Sequence, residues 1–207
     1  MHGARSEDFA MKKFVSAVLA FFVIFSLSAC SGGASGSGAA SSASEQEISI
    51  ESAEALLRTV WDSYAEDEKF AVAGGDFSEE SMVTDAPGKF DVSNTDALDA
   101  TLGFPAASAD QIDEAASMVH MLNANTFTCG AFHVKDAQTL GDVAKALQEN
   151  IQQRQWICGF PDKLVIAQVG DYIVSCFGSE EIVDTFHTKL AAAYPSAETL
   201  VDEPITA

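Results

Sequence analysis

The stretch KLVIAQVGDYIVSCF, residues 163–177, decides the fold. Lys163 to Val169 and Tyr172 to Phe177 are two apolar, β-branched runs, and only Gly170-Asp171 separates them. Glycine reaches the positive φ that the first central position of a type II′ turn requires, so the segment predicts a β-hairpin with a two-residue loop. Upstream lies the clearest helical signal of the chain. Leu140, Val143, Ala144, Leu147 and Ile151 recur at helical spacing, Gln152 to Gln155 finish the run, and Gly159 and Pro161 stop it. Its start admits two caps: Thr139 with Asp142 as a capping box, or Asp136 earlier. Before it, Thr126 to Val134 predicts a strand. Phe127, Cys129, Ala131 and His133 lie on one side and Phe132 and Val134 on the other, so both faces are at least partly covered. Downstream of the hairpin, Ser179 is placed to cap a final helix carrying Ile182, Val183, Phe186 and Leu190, ended by Pro195.

Signals weaken towards the N-terminus. Ser52 can cap a helix whose apolar face is Ala53, Leu56, Leu57, Val60, Trp61 and Tyr64, ending in the acidic stretch Glu66 to Glu68. From Ala71 to Pro105 only turns are legible, at Gly74-Gly75 and Pro87-Gly88, with Asn94 or Thr95 capping a short helix over Ala97 to Leu102. Ser108 to Glu114 is a short turn or helix. Ala116 to Leu122 fits strand or helix, and Asn123-Ala124-Asn125 is a connection. The order is α-(β)-β-α-β-β-α, which predicts one α+β domain over residues 48–200. In it a mostly antiparallel sheet is covered by helices on one face, and residues 201–207 form a tail.

The start of the chain carries an address. Residues 1–10 include Glu7 and Asp8, which a targeting segment avoids, so they are read as an upstream extension and Met11 as the native start. Residues 11–29 form a signal peptide: Lys12 and Lys13, then an apolar run from Phe14 to Leu27. A transmembrane helix would need about 20 apolar residues, and this run is shorter and contains Ser16 and Ser26. Leu27-Ser28-Ala29-Cys30 resembles the lipobox of bacterial lipoproteins. That resemblance implies a diacylglyceryl group on the Cys30 thiol and cleavage before Cys30. Ser31 to Ser44 contains only Ser, Gly and Ala and buries nothing, so residues 30–47 read as anchor and flexible tether. The expected location is the outer face of the cytoplasmic membrane, with the membrane as partner through the lipid on Cys30.

The chain carries a net charge of −20, and loss of Arg5, Lys12, Lys13, Glu7 and Asp8 on cleavage takes it to −21. Nucleic acid is thereby excluded as a partner, since binding it requires a basic footprint. Beyond Cys30 three cysteines remain, Cys129, Cys158 and Cys176, an odd number that cannot form a closed disulfide framework although one pair could bridge.

Several of these segments together resemble a family of small lipoproteins from Gram-positive bacteria that carry a C-terminal domain of unknown function. The likeness runs over about Ala115 to Tyr194. It rests on Val134-Lys135-Asp136, on the helix from Val143 closing in Glu149-Asn150-Ile151-Gln152-Gln153, on Phe160-Pro161, and on Val169-Gly170-Asp171-Tyr172-Ile173-Val174. The cysteines and His133 stand outside the family pattern. The resemblance implies the anchor and the α+β domain, and it supplies no active-site residue.

No motif for catalysis, metal or cofactor stands out. Cys129, Cys158, Cys176, His120, His133 and His187 include metal-ligand types, but none has the close spacing of a zinc site. Cys176 with His133 or His187 would make a nucleophile pair only if folding joined them, and thiols on apolar strands are usually inert packing. Asp91, Asp96 and Asp99 cluster, yet Ser93 and Thr95 hold the alternate positions and no Gly follows, so a solvated acidic loop fits better than a calcium loop. Trp61 sits on the apolar helix face and reads as core; Trp156, beside Arg154 and the glutamines, reads as the exposed aromatic that could line a ligand surface. Two functions follow: a non-enzymatic, surface-tethered domain binding a small molecule or protein, or a cell-surface hydrolase or thiol enzyme. A closed surface with one apolar groove favours the first; a cleft holding Cys176 favours the second.

Overall fold

The computed structural model describes residues 49–157 and 159–206. The signal peptide, Cys30, the tether and Cys158 lie outside them. The described residues form one compact unit, which contains both hydrophobic cores and the eight strands found among them.

The hairpin forms as the sequence predicts. Strand β6 (Lys163–Val169) pairs antiparallel with β7 (Tyr172–Gly178), and Val169 lies opposite Tyr172. Gly170 takes φ +58 while Asp171 does not have a positive φ, as a type II′ turn demands. Next to β7 lies β5 (Phe127–Val134), and next to β5 lies β4 (Ile112–His120). The far side of β4 is shared by two short strands, β1 (Val72–Gly74) and β3 (Gly88–Phe90), and β1 also pairs with β2 (Val83–Thr84). All pairings are antiparallel, which makes the domain α+β with an antiparallel sheet.

The helices cover both faces rather than one. On the first face α1 (Ala53–Asp62) and α4 (Glu180–Ala193) pack over Met118, Cys129, Ala131, Val165, Val174 and Cys176. On the second, α3 (Leu140–Gln152) packs over Phe132, Leu164, Ile166, Ile173 and Phe177, joined by Leu98, Leu102 and Phe104. The reason is legible in the central strands: every residue of β7 is buried, so no polar face is left for water. Ala116 to Leu122 belongs mainly to β4, because Ala115 turns to one core while Ala116 and Met118 turn to the other. A 3-10 helix over Ala106–Gln111 leads into it.

The C-terminal residues are no tail. Glu198–Pro204 forms β8, the edge strand beside β6, and Ile205 is buried in the second core. Lys163 ties this edge together: its Nζ lies 2.5 Å from Asp184 of α4 and 2.7 Å from Asp202 of β8. Those two hydrogen bonds raise the Lys163 pKa above its ordinary value, that to Asp184 most.

Caps refine the helix limits. Ser52 Oγ accepts the Ala55 amide at 3.0 Å, the expected start of α1. That helix stops at Asp62, a turn before Glu66, because the Ser63 hydroxyl donates to the Val60 carbonyl and Glu68 accepts the Ala65 amide, folding the chain into a loop. Before α3 the capping role falls to Asp136, which accepts the Gln138 amide at 2.9 Å; the Thr139 side chain makes no cap bond. Ser179 holds the N-cap position of α4 with extended backbone, but its hydroxyl caps nothing. Between β3 and β4 a single helical turn α2 (Thr95–Ala97), capped by Asn94, widens into a π turn over Leu98–Leu102.

Candidate functional site

A cleft of about 410 Å³ opens beside the second core, where α3 has ended. Its floor consists of three residues in register across the sheet: Val119 on β4, Thr128 on β5 and Phe177 on β7. Ala73, Phe77 and Met82 supply one wall, Ala100, Thr101, Arg154 and Trp156 another, and the turn from Met121 to Asn125 the rim. Of seven large apolar side chains exposed on the described surface, four line this cleft: Phe77, Met82, Met121 and Leu122. Scattered apolar residues are normal on a soluble surface, whereas a concave cluster marks a contact site.

The lining is held in place by polar contacts. His120 Nδ1 accepts the amides of Leu122 and Asn123 at 3.2 and 3.3 Å, which fixes the rim turn, while its ring stacks on Phe70. Asn125 Nδ2 donates to the carbonyls of Ile157 and Gly159, at 3.1 and 3.0 Å, and joins the rim to the loop after α3. Trp156 packs on Phe177 with ring centroids 5.2 Å apart, and its buried Nε1 has no acceptor. The Arg154 guanidinium lies over the Trp156 ring at 5.1 Å and donates to the carbonyls of Asp99 and Ala100. Burial pulls its pKa down, against the opposing pull of the Asp99 charge; a guanidinium nevertheless stays cationic at neutral pH. Phe77 takes φ +62, a left-handed backbone that costs a bulky side chain on the order of 1 kcal/mol.

The cysteines lie elsewhere. Cys129 and Cys176 face each other across β5 and β7, both buried and both free thiols. Burial, then the neighbouring Cys129, pushes the Cys176 thiol well above its ordinary value. His133 is four strand residues from Cys129, roughly 13 Å along an extended chain, and Cys176 is displaced equally because His133 pairs with Tyr172. His187 instead meets Thr199 at 2.8 Å. Neither candidate histidine is brought to a thiol. His133 Nδ1 does meet Asp113 Oδ1 at 2.6 Å, beside a cavity of about 420 Å³ lined by Ser49, Ile50, Gly170, Tyr172 and Tyr194.

The acidic trio serves local structure. Asp91 accepts the Ser93 amide at 2.9 Å, Asp96 lies in the first turn of α2, and Asp99 accepts from Asn150 at 2.8 Å. Among the described residues no group of three or more His, Cys, Asp or Glu side chains could hold a metal ion. Trp61 is core, as its helical position implies, and donates to the Asp85 carbonyl at 3.0 Å. Trp156 is half-buried in the cleft wall. Phe77 and Met82 escaped the sequence reading because they come from segments where only turns were legible, and Thr101 because the short helix read around it carries no sign of a site. The one available sign for the rim was the apolar pair Met121-Leu122 running straight into a polar turn. No protein-family model, curated protein or solved structure matches the chain.

Proposed function

We propose that this is a lipid-anchored, extracytoplasmic bacterial domain that works by binding a ligand with an apolar body in the cleft above Val119, Thr128 and Phe177. The concentration of exposed apolar side chains on that cleft carries the reading. The lipobox, the signal peptide and the Ser/Gly/Ala tether support the anchor, and the likeness to small Gram-positive lipoproteins agrees with it. Among the described residues no helix is long and apolar enough to cross a membrane.

The alternative, a surface hydrolase or thiol enzyme, draws on the His133–Asp113 pair. Such a pair needs a nucleophile within hydrogen-bond reach. Among the described residues His133 has no thiol or hydroxyl hydrogen-bond partner, and both described thiols are packed in the core.

A neutral apolar fluorophore, N-phenyl-1-naphthylamine, tests the binding reading. Titration into residues 46–207 should saturate at one site per chain with enhanced emission. Met82→Glu, a change at a half-exposed position, should weaken binding at least about tenfold, since a carboxylate there must lose water when the probe enters. Absence of saturable binding would end the proposal.

A further inference from the structure

The cleft lining differs electrically from the rest of the molecule. The chain holds 31 Asp and Glu, and among the described residues none of them lines the cleft. The formally charged side chain in the lining is Arg154. Two carboxylates adjoin lining residues in sequence and are turned to partners of their own: Asp76 to the Ser78 amide and Ser81 hydroxyl, Asp99 to Asn150, although the Asp99 charge also acts on Arg154. Arg154 has five N–H donors. Two are used on the carbonyls of Asp99 and Ala100, which hold the guanidinium at the wall and leave three for something else. Trp156, against which it lies, has an indole N–H without an acceptor. An apolar cavity with a fixed cation and spare donors complements a molecule that has an apolar body and an anionic, acceptor-only head. An uncharged hydrocarbon would leave those donors unmatched, and a cationic amphiphile would meet Arg154 with like charge.

We infer that the cleft takes a single-chain anionic amphiphile: a carboxylate head bonded by Arg154 and an alkyl body against Phe77, Met82 and Phe177. This rests on the cleft being a binding site and adds the class of ligand. At about 410 Å³ the cleft has room for one alkyl chain and not for a patch of bilayer, so the occupant is the monomeric amphiphile.

Isothermal titration of residues 46–207 with dodecanoate, dodecanol and dodecyltrimethylammonium, each below its micellar concentration, reads the head-group preference directly. Dodecanoate should bind at least about tenfold tighter than either of the others, the effect expected of a charge-assisted hydrogen bond. Arg154→Gln should bring dodecanoate down to the level of dodecanol measured on the same variant, abolishing the head-group preference. Arg154→Lys keeps the charge, so it should retain most of the preference, which separates loss of the cation from damage to the wall. Equal binding of acid and alcohol, or stronger binding of the ammonium, would overturn the inference while leaving the apolar site standing. Failure of all three tails to bind would overturn both. Sedimentation of the ligand-free domain with phosphatidylcholine vesicles would assign the apolar rim to a membrane and overturn the monomeric occupant.

Discussion

At the residue scale, the two described thiols and the phenol above them set a limit on alkaline stability. Cys176 is buried opposite Cys129, and Tyr64 is buried in the same core with its hydroxyl unpartnered. Burial is the main cause that raises both pKa values in the fold. Both groups are neutral when protonated, so the folded state resists losing protons that the unfolded chain releases freely. Stability is therefore full below the ordinary thiol value of 9.0 and falls above it as the unfolded thiol ionises; Tyr64 adds to the fall from about 10.0. Each group contributes a slope of up to about 1.4 kcal/mol per pH unit. Urea midpoints measured from about pH 8 to about pH 11 should decline, and Cys176→Ala should remove the earlier part of the decline. A midpoint constant up to about pH 10.5 would contradict this account. In the sequence Cys129 and Cys176 already read as quiet thiols packed on apolar strands, but not as facing each other; their opposition depends on the β5–β7 register, which joins segments far apart in the chain.

At the scale of elements, the hairpin is the best test of how local chemistry sets structure. Gly170 has open space around the position of a Cβ, so a larger residue meets no neighbour there; the obstacle is φ +58 alone. Gly170→Val should cost about 1 kcal/mol or more, since a β-branched side chain is strained in that region. Chemical denaturation of both proteins checks it, and a loss below about 0.3 kcal/mol would mean that the turn relaxes. Elements of this kind were legible: the hairpin, α3 and β5 each carry their own periodicity and punctuation. β8 was not. Glu198, Asp202 and Glu203 give it the composition of a solvated tail, and at a sheet edge only Val201 and Ile205 need to pack inward. Charges on an edge strand also deter pairing with another chain, which is why such strands resemble tails in sequence. The cleft was legible only at Trp156, read as an aromatic that could line a ligand surface and found in its wall. Its walls come from β1, from the loop after it and from the π turn, whose backbone pairing across the chain no local pattern announces.

At the scale of the whole molecule, the anchor and the domain have separate tests. Intact-mass analysis of protein extracted from its own membrane should find a chain beginning at Cys30 and carrying a diacylglyceryl-sized increment. Cys30→Ala should leave the protein unprocessed or released, whereas a native chain that keeps Met11 and no lipid would refute the anchor. The sheet itself has a direction that bears on use. Ser49 and Ile50 lie by Gly170, Tyr172 and His133, at the hairpin-turn extremity of the strands. The cleft floor at Thr128 is five residues along β5 from His133, roughly 17 Å of extended chain away. Residue 49 thus stands at the pole opposite the cleft's open mouth. A probe attached at Ser49 reports from the far end of the sheet and leaves that mouth unobstructed.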